Sequence, residues 1–157
     1  MQLDSDRLVE NIKKLYIEFC ADCNSNDANI HFQEVLSFFV EKGWGHELIW
    51  ATNDKYCGKF LKFNKGAKFS MHFHKDKDET WYIMNGVFDV LIINTADASV
   101  ERKRLEAGGV HRNEPLVPHQ VICIEEGTLL EVSTADSVED NYRVSMGDSQ
   151  REKKRKA

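Results

Sequence analysis

Proline is nearly absent, with only Pro115 and Pro118 in 157 residues, and both fall in one short segment. A proline-rich, low-complexity linker is thereby excluded. No apolar run approaches the ~20 residues that a membrane-spanning helix needs. The first residues, Met1-Gln-Leu-Asp-Ser-Asp6, are polar and acidic, so they do not read as a secretory signal. Cysteines are few: Cys20, Cys23, Cys57 and Cys123. Without a signal peptide a reducing cytoplasm is expected, with free thiols. Cys20-Ala-Asp-Cys23 has metal or redox spacing, but no second pair completes a zinc site, and the two cysteines read as incidental. Basic residues are outnumbered, 21 to 26, for a formal charge of −5. The tail Arg151 to Lys156 carries five of the basic residues and only one acidic. The body is correspondingly more acidic, a poor surface for nucleic acid, whose phosphates are met mainly by Lys and Arg. No nucleic-acid or membrane partner is expected.

The chain does contain enough apolar residues, 41%, for a soluble globular domain. Residues 5–22 predict a helix, because Leu8, Ile12, Leu15, Tyr16 and Phe19 recur at spacings of three and four. Ser5 is its candidate N-cap. A second short helix is predicted over 30–41. From Gly43 the texture changes to short runs rich in Val, Ile, Phe, Trp and Tyr, broken by Gly, Asn and Asp. Strands are predicted at 46–51, 57–63, 69–74, 79–84, 87–94, 100–105, 119–124 and 128–133, a rhythm that suggests a β-sandwich or barrel. The expected layout is a helical extension over 1–42, one β domain over 43–148 and a basic, flexible tail over 149–157. Runs such as Phe88 to Ile93 are apolar on both strand faces, which predicts covering by a second sheet and by a helix or another subunit. A homodimer is expected.

The chemistry concentrates in the histidines. His72 and His74 are two apart, so in a strand they project from one face, and two imidazoles so placed can hold one metal ion. The polar turn Lys75 to Asp78 reverses the chain and brings Glu79 back beside them, with Trp81 and Ile83 on the same inward face. A third imidazole is expected from His119, which opens a later strand after Pro118. Three neutral nitrogens and one carboxylate suit a divalent transition metal: Zn, Mn, Fe, Ni or Co.

The spacing of these residues resembles the cupins. Gly66, five residues, His72-Phe-His74, four residues, Glu79, six residues and Gly86 reproduce the first cupin motif. Gly109, five residues, Pro115-Leu-Val-Pro118 and His119 resemble a degenerate second motif. It is one residue short and lacks the middle glycine and the final asparagine. The resemblance implies an all-β jelly-roll barrel, a double-stranded β-helix. Among cupins it looks most like the cupin domain of type II mannose-6-phosphate isomerases and related sugar isomerases. Gly43-Trp-Gly-His-Glu47, Ser70-Met-His-Phe-His74, Glu131-Val-Ser-Thr134 and Asp140-Asn-Tyr-Arg143 carry that likeness.

The likeness implies a metal-dependent aldose–ketose isomerase acting on a small sugar or sugar phosphate. Such chemistry needs a base near the C–H bond. Glu131 is the first candidate, with His111 and Glu47 behind it. A sugar phosphate would need cations, for which Arg143 ranks before Lys62 and Arg112. Trp81 can form an apolar wall against a sugar ring. The alternatives are a non-catalytic sugar-binding cupin and an Fe(II)-dependent cupin dioxygenase.

Overall fold

Nine strands account for most of residues 39–150, the part of the chain that the computed structural model describes. They are β1 (Phe39–Lys42), β2 (Gly45–Thr52), β3 (Tyr56–Phe63), β4 (Met71–Phe73), β5 (Glu79–Ile93), β6 (Val100–Glu106), β7 (Val110–Asn113), β8 (His119–Thr134) and β9 (Tyr142–Ser145). The helix predicted over 5–22, most of that over 30–41, Cys20, Cys23 and the tail beyond Gln150 lie outside the described residues. Among the described residues no helix is long and apolar enough to cross a membrane.

Two long strands organise everything else. β5 and β8 run antiparallel side by side from Glu79↔Ser133 to Ile92↔His119. Both bend in the middle, where the register shifts between Ile83 and Phe88. Gly86 and Gly127 meet at this bend. A Cβ on Gly86 would lie 2.6 Å from Gly127 Cα, and Gly86 has φ +86°, so only glycine meets both demands. Beyond the bend each strand changes partners. The first half of β5 pairs with β7 and its second half with β6. The first half of β8 pairs with β4 and its second half with β3. The sheet therefore curls into two layers, β1-β2-β3-β8-β5-β7 and β9-β4-β8-β5-β6, with β5 and β8 shared.

Inward-facing apolar side chains from both layers form one core: Leu61, Phe63, Ile83 and Leu129 from one, Phe88, Val90, Val121 and Cys123 from the other. Phe63 lies between Trp44, stacked at 4.3 Å, and Phe88, edge-on at 5.7 Å. Each such fully buried side chain stabilises the fold by about 1.5–3 kcal/mol. This mostly β, curled architecture agrees with the expected double-stranded β-helix.

Several expectations need correction. Residues 39–41, predicted to end a helix, form β1, which pairs with β2 through the two-residue turn Gly43-Trp44. A short apolar run has no decisive period, and pairing to β2 settles it. The predicted pairs 79–84/87–94 and 119–124/128–133 are single bent strands, because the glycines mark bends rather than turns. Strands β7 and β9 were not predicted. All four residues of β9 are exposed, so it carries no buried-face alternation.

Candidate metal centre and its cavity

The start of β8 and the end of β4 place the histidines. His72 on β4 and His119 at the start of β8 are ladder partners, and His74 follows immediately after β4. Their ring centroids lie 4.8–5.8 Å apart, and one nitrogen from each lies within 4.8 Å of the others. All three are buried.

Backbone carbonyls orient every ring. His72 Nδ1 donates to Ser70 O at 2.8 Å, His119 Nδ1 to Val117 O at 2.9 Å, and His74 Nδ1 to Asp140 O. With the proton on Nδ1, each Nε2 presents a lone pair, the arrangement that metal-binding imidazoles use. Burial, and then His119, pushes the His72 pKa down to about 3, so this ring stays neutral and able to ligate.

Glu79 completes the cluster from β5. Its Oε1 lies 3.0 Å from His119 Nε2, and its Oε2 lies 3.8 Å from His74 Nε2. Two acceptors thus face each other at 3.0 Å in a buried place, and His119 Nε2 has no hydrogen-bond donor among the described residues. A cation between them removes that conflict, so the donor set fits a divalent metal. Burial would raise the Glu79 carboxyl, but the Lys77 ammonium beside it outweighs this and holds it well below the usual carboxylate range.

From this cluster His72, His74 and Glu79 line a cavity of about 230 Å³. Trp44, Leu61, Phe69 and Trp81 supply its apolar surface. The remaining lining is strongly charged. Lys77, only 5% exposed, donates to Glu79 Oε2 and Glu131 Oε1, each at 2.7 Å, and lies 3.4 Å from Asp136 Oδ1. Lys59 donates to Asp136 Oδ2 at 2.8 Å. Burial alone would lower the Lys77 pKa, but Glu131 and Glu79 raise it above the ordinary lysine value.

The predicted residues divide sharply. Glu131 is buried in the cavity, Trp81 is 1% exposed and lines it, and Arg143 reaches it from β9 as the ladder partner of His72. Glu47 lines the cavity too, paired with Lys42 at 3.0 Å. His111 is not among the lining residues; its ring centre sits 6.0 Å from that of Trp81. Lys62 is on the opposite strand face from Lys59 and Leu61 and pairs with Glu126. Arg112 is held outside by Asp78 and Glu114.

Sequence reasoning missed Lys77, read there as part of a polar turn, together with Lys59, Asp136, Asp140 and Asn113, whose Nδ2 donates to Glu79 Oε1 at 3.2 Å. Parity carried a signal for two of them. Lys77 stands two before Glu79, and Lys59 shares a face with Leu61 and Phe63. Asp136 and Asp140 lie in a loop and had no such signal.

No protein-family model matches the sequence, and no curated protein does. Solved structures do match. KdgF from Halomonas sp. is 21% identical with a TM-score of 0.52, covering 60% of this chain and 81% of that one. An RmlC-like cupin from Shewanella frigidimarina is 23% identical with a TM-score of 0.51, covering 60% and 78%. Oxalate decarboxylase from Bacillus subtilis is 20% identical with a TM-score of 0.57 over 67% of this chain, which spans 29% of that enzyme. At these identities the likeness establishes the fold, which is that of the cupins. The structure described is therefore a cupin-like barrel holding a histidine triad capable of binding a metal ion. A specific kinship to mannose-6-phosphate isomerases is not among these likenesses.

Proposed function

We propose that this chain is a metal-dependent enzyme that moves a proton between adjacent carbons of a small sugar or sugar phosphate, an aldose–ketose isomerase. The observation that carries the reading is a histidine triad, two of whose members, His72 and His74, line the same cavity as the Glu131 carboxylate. A divalent ion on His72, His74 and His119, with Glu79 beside it, would polarise the carbonyl and hydroxyl oxygens of the substrate.

The chain's own residues supply the rest. Glu131 takes the proton from carbon and returns it to the neighbouring carbon. Lys77 orients that carboxylate from 2.7 Å and offers an N–H to the substrate oxygen where negative charge develops. Arg143, which makes no ion pair among the described residues, receives an anionic group at the mouth. Trp81 and Phe69 exclude water from the reacting carbons.

Metal content comes first, by elemental analysis of protein purified without an affinity metal column. About one Zn, Mn, Fe, Ni or Co per chain is expected, and it should be lost in His72→Ala. Solvent deuterium should then appear at C-2 of an aldose substrate. Glu131→Gln should slow that exchange by ~100-fold or more with metal content unchanged. Saturable sugar binding without exchange would replace the reading with a binding protein. Fe(II)-dependent oxygen uptake would replace it with a dioxygenase.

A further inference from the structure

The buried ammonium of Lys77 stands where a metal centre would ordinarily exclude a cation. Its Nζ lies 2.7 Å from Glu79 Oε2, and that same oxygen lies 3.8 Å from His74 Nε2. The ammonium and the imidazoles of His74 and His119 thus share one carboxylate. The other oxygen, Oε1, already accepts from Asn113 Nδ2 at 3.2 Å and faces His119. Glu79 has little left to offer a metal while Lys77 holds it.

We propose that Lys77 is a built-in counter-cation that competes with the metal for Glu79. The metal then loads onto the three imidazoles, and Glu79 joins it only as Lys77 turns to its other partners. The proposal rests on the metal-centre reading and adds to it a residue that sets affinity.

Three arguments support the competition. Glu79, Glu131 and Asp136 are three carboxylates gathered around Lys77, with Lys59 as the second cation in the group. Buried anions without compensation are strongly unfavourable, so Lys77 stabilises the site when no metal is present. A divalent ion at the imidazoles lies close to this ammonium in a poorly screened interior, so the two repel. Lys77 also has somewhere to go. Glu131 Oε1 at 2.7 Å and Asp136 Oδ1 at 3.4 Å keep it paired after Glu79 is released. Its backbone is fixed, because Lys77 N donates to Asp140 Oδ2 at 2.9 Å, so the side chain alone must turn.

The test is Zn(II) affinity of the full chain, measured by competition with a chromophoric chelator. Lys77→Met should bind Zn(II) about tenfold or more tighter than the parent protein. Lys77→Gln, which keeps a neutral donor, should do the same and serves if the methionine variant fails to fold. Glu79→Gln should cost more affinity in the Lys77→Met background than in the parent, again by about tenfold. Equal or weaker binding by both Lys77 variants overturns the proposal. Strictly additive effects also overturn it, since they leave repulsion without competition. If the parent binds no Zn(II), or His72→Ala binds it equally well, the metal-centre reading falls and this proposal with it. If His72→Ala loses Zn(II) while the Lys77 variants bind as the parent does, only the competition falls.

Discussion

His72 should make the metal-free protein sensitive to acid, and the size of the effect follows from its surroundings. Burial, reinforced by His119, lowers its pKa from the ordinary 6.5 to about 3. The folded protein therefore refuses a proton that the unfolded chain accepts below 6.5. Protonation then favours unfolding, so the contribution of neutral His72 is complete above pH 6.5. It is lost as pH falls toward 3 and stays constant below that. At ~1.36 kcal/mol for each unit, the full loss is about 5 kcal/mol, a large share of the stability of an ordinary domain. Roughly half of it should be gone by about pH 4.5. The assay is urea unfolding of the parent and of His72→Gln, both with excess chelator, at about pH 7 and pH 4.5. Gln does not titrate, so the parent should lose about 2–3 kcal/mol more than the variant over this interval. Parallel losses in the two proteins would refute the reasoning, and would mean that the ring is solvated or charged in the folded state.

Other perturbations probe the frame of the site. Gly86→Ala places a Cβ 2.6 Å from Gly127 Cα and 2.8 Å from Glu125 O, at φ +86°. It should cost about 3 kcal/mol or more in urea unfolding, and a loss below about 1 would deny the close approach of β5 and β8. Leu116 holds φ +65° in the turn before His119, donates its N–H to His74 O at 2.7 Å, and is 58% exposed. Leu116→Gly should keep that bond and leave stability unchanged or up to about 1 kcal/mol higher, whereas a clear loss would show that the leucine side chain packs. Asp140 accepts from the N–H groups of Lys75, Asp76 and Lys77 while its carbonyl receives His74 Nδ1. Asp140→Ala should weaken Zn(II) binding by about 10-fold or more, with Asp140→Asn between it and the parent; unchanged affinity would show that His74 needs no such support.

The histidine triad was legible because much of its geometry is local. His72 and His74 share a face through the two-residue period of a strand, and His119 announces itself by opening an apolar run. Strand spacing likewise pointed to a β-sandwich or barrel. What escaped was set by contacts distant in sequence. A glycine that bends a strand and a glycine that ends one are identical in composition, and only the approach of Gly86 to Gly127 separates them. Strand β9 shows no periodicity because its side chains are all exposed, yet it delivers Arg143 opposite His72.

The sequence by itself determined which side chains share a strand face, and with that the histidine pair, the inward run of Glu79, Trp81 and Ile83, and the expectation of a barrel. The tertiary structure alone decided which charged residues enter the cavity. Lys62 pairs on the outside and His111 stays off the cavity wall, while Lys77 and Lys59 are drawn inside. The physical reason is that a buried charge is tolerated only beside its counter-charges. Glu79, Glu131 and Asp136 come from β5, β8 and a loop, and folding is what brings them together around Lys77.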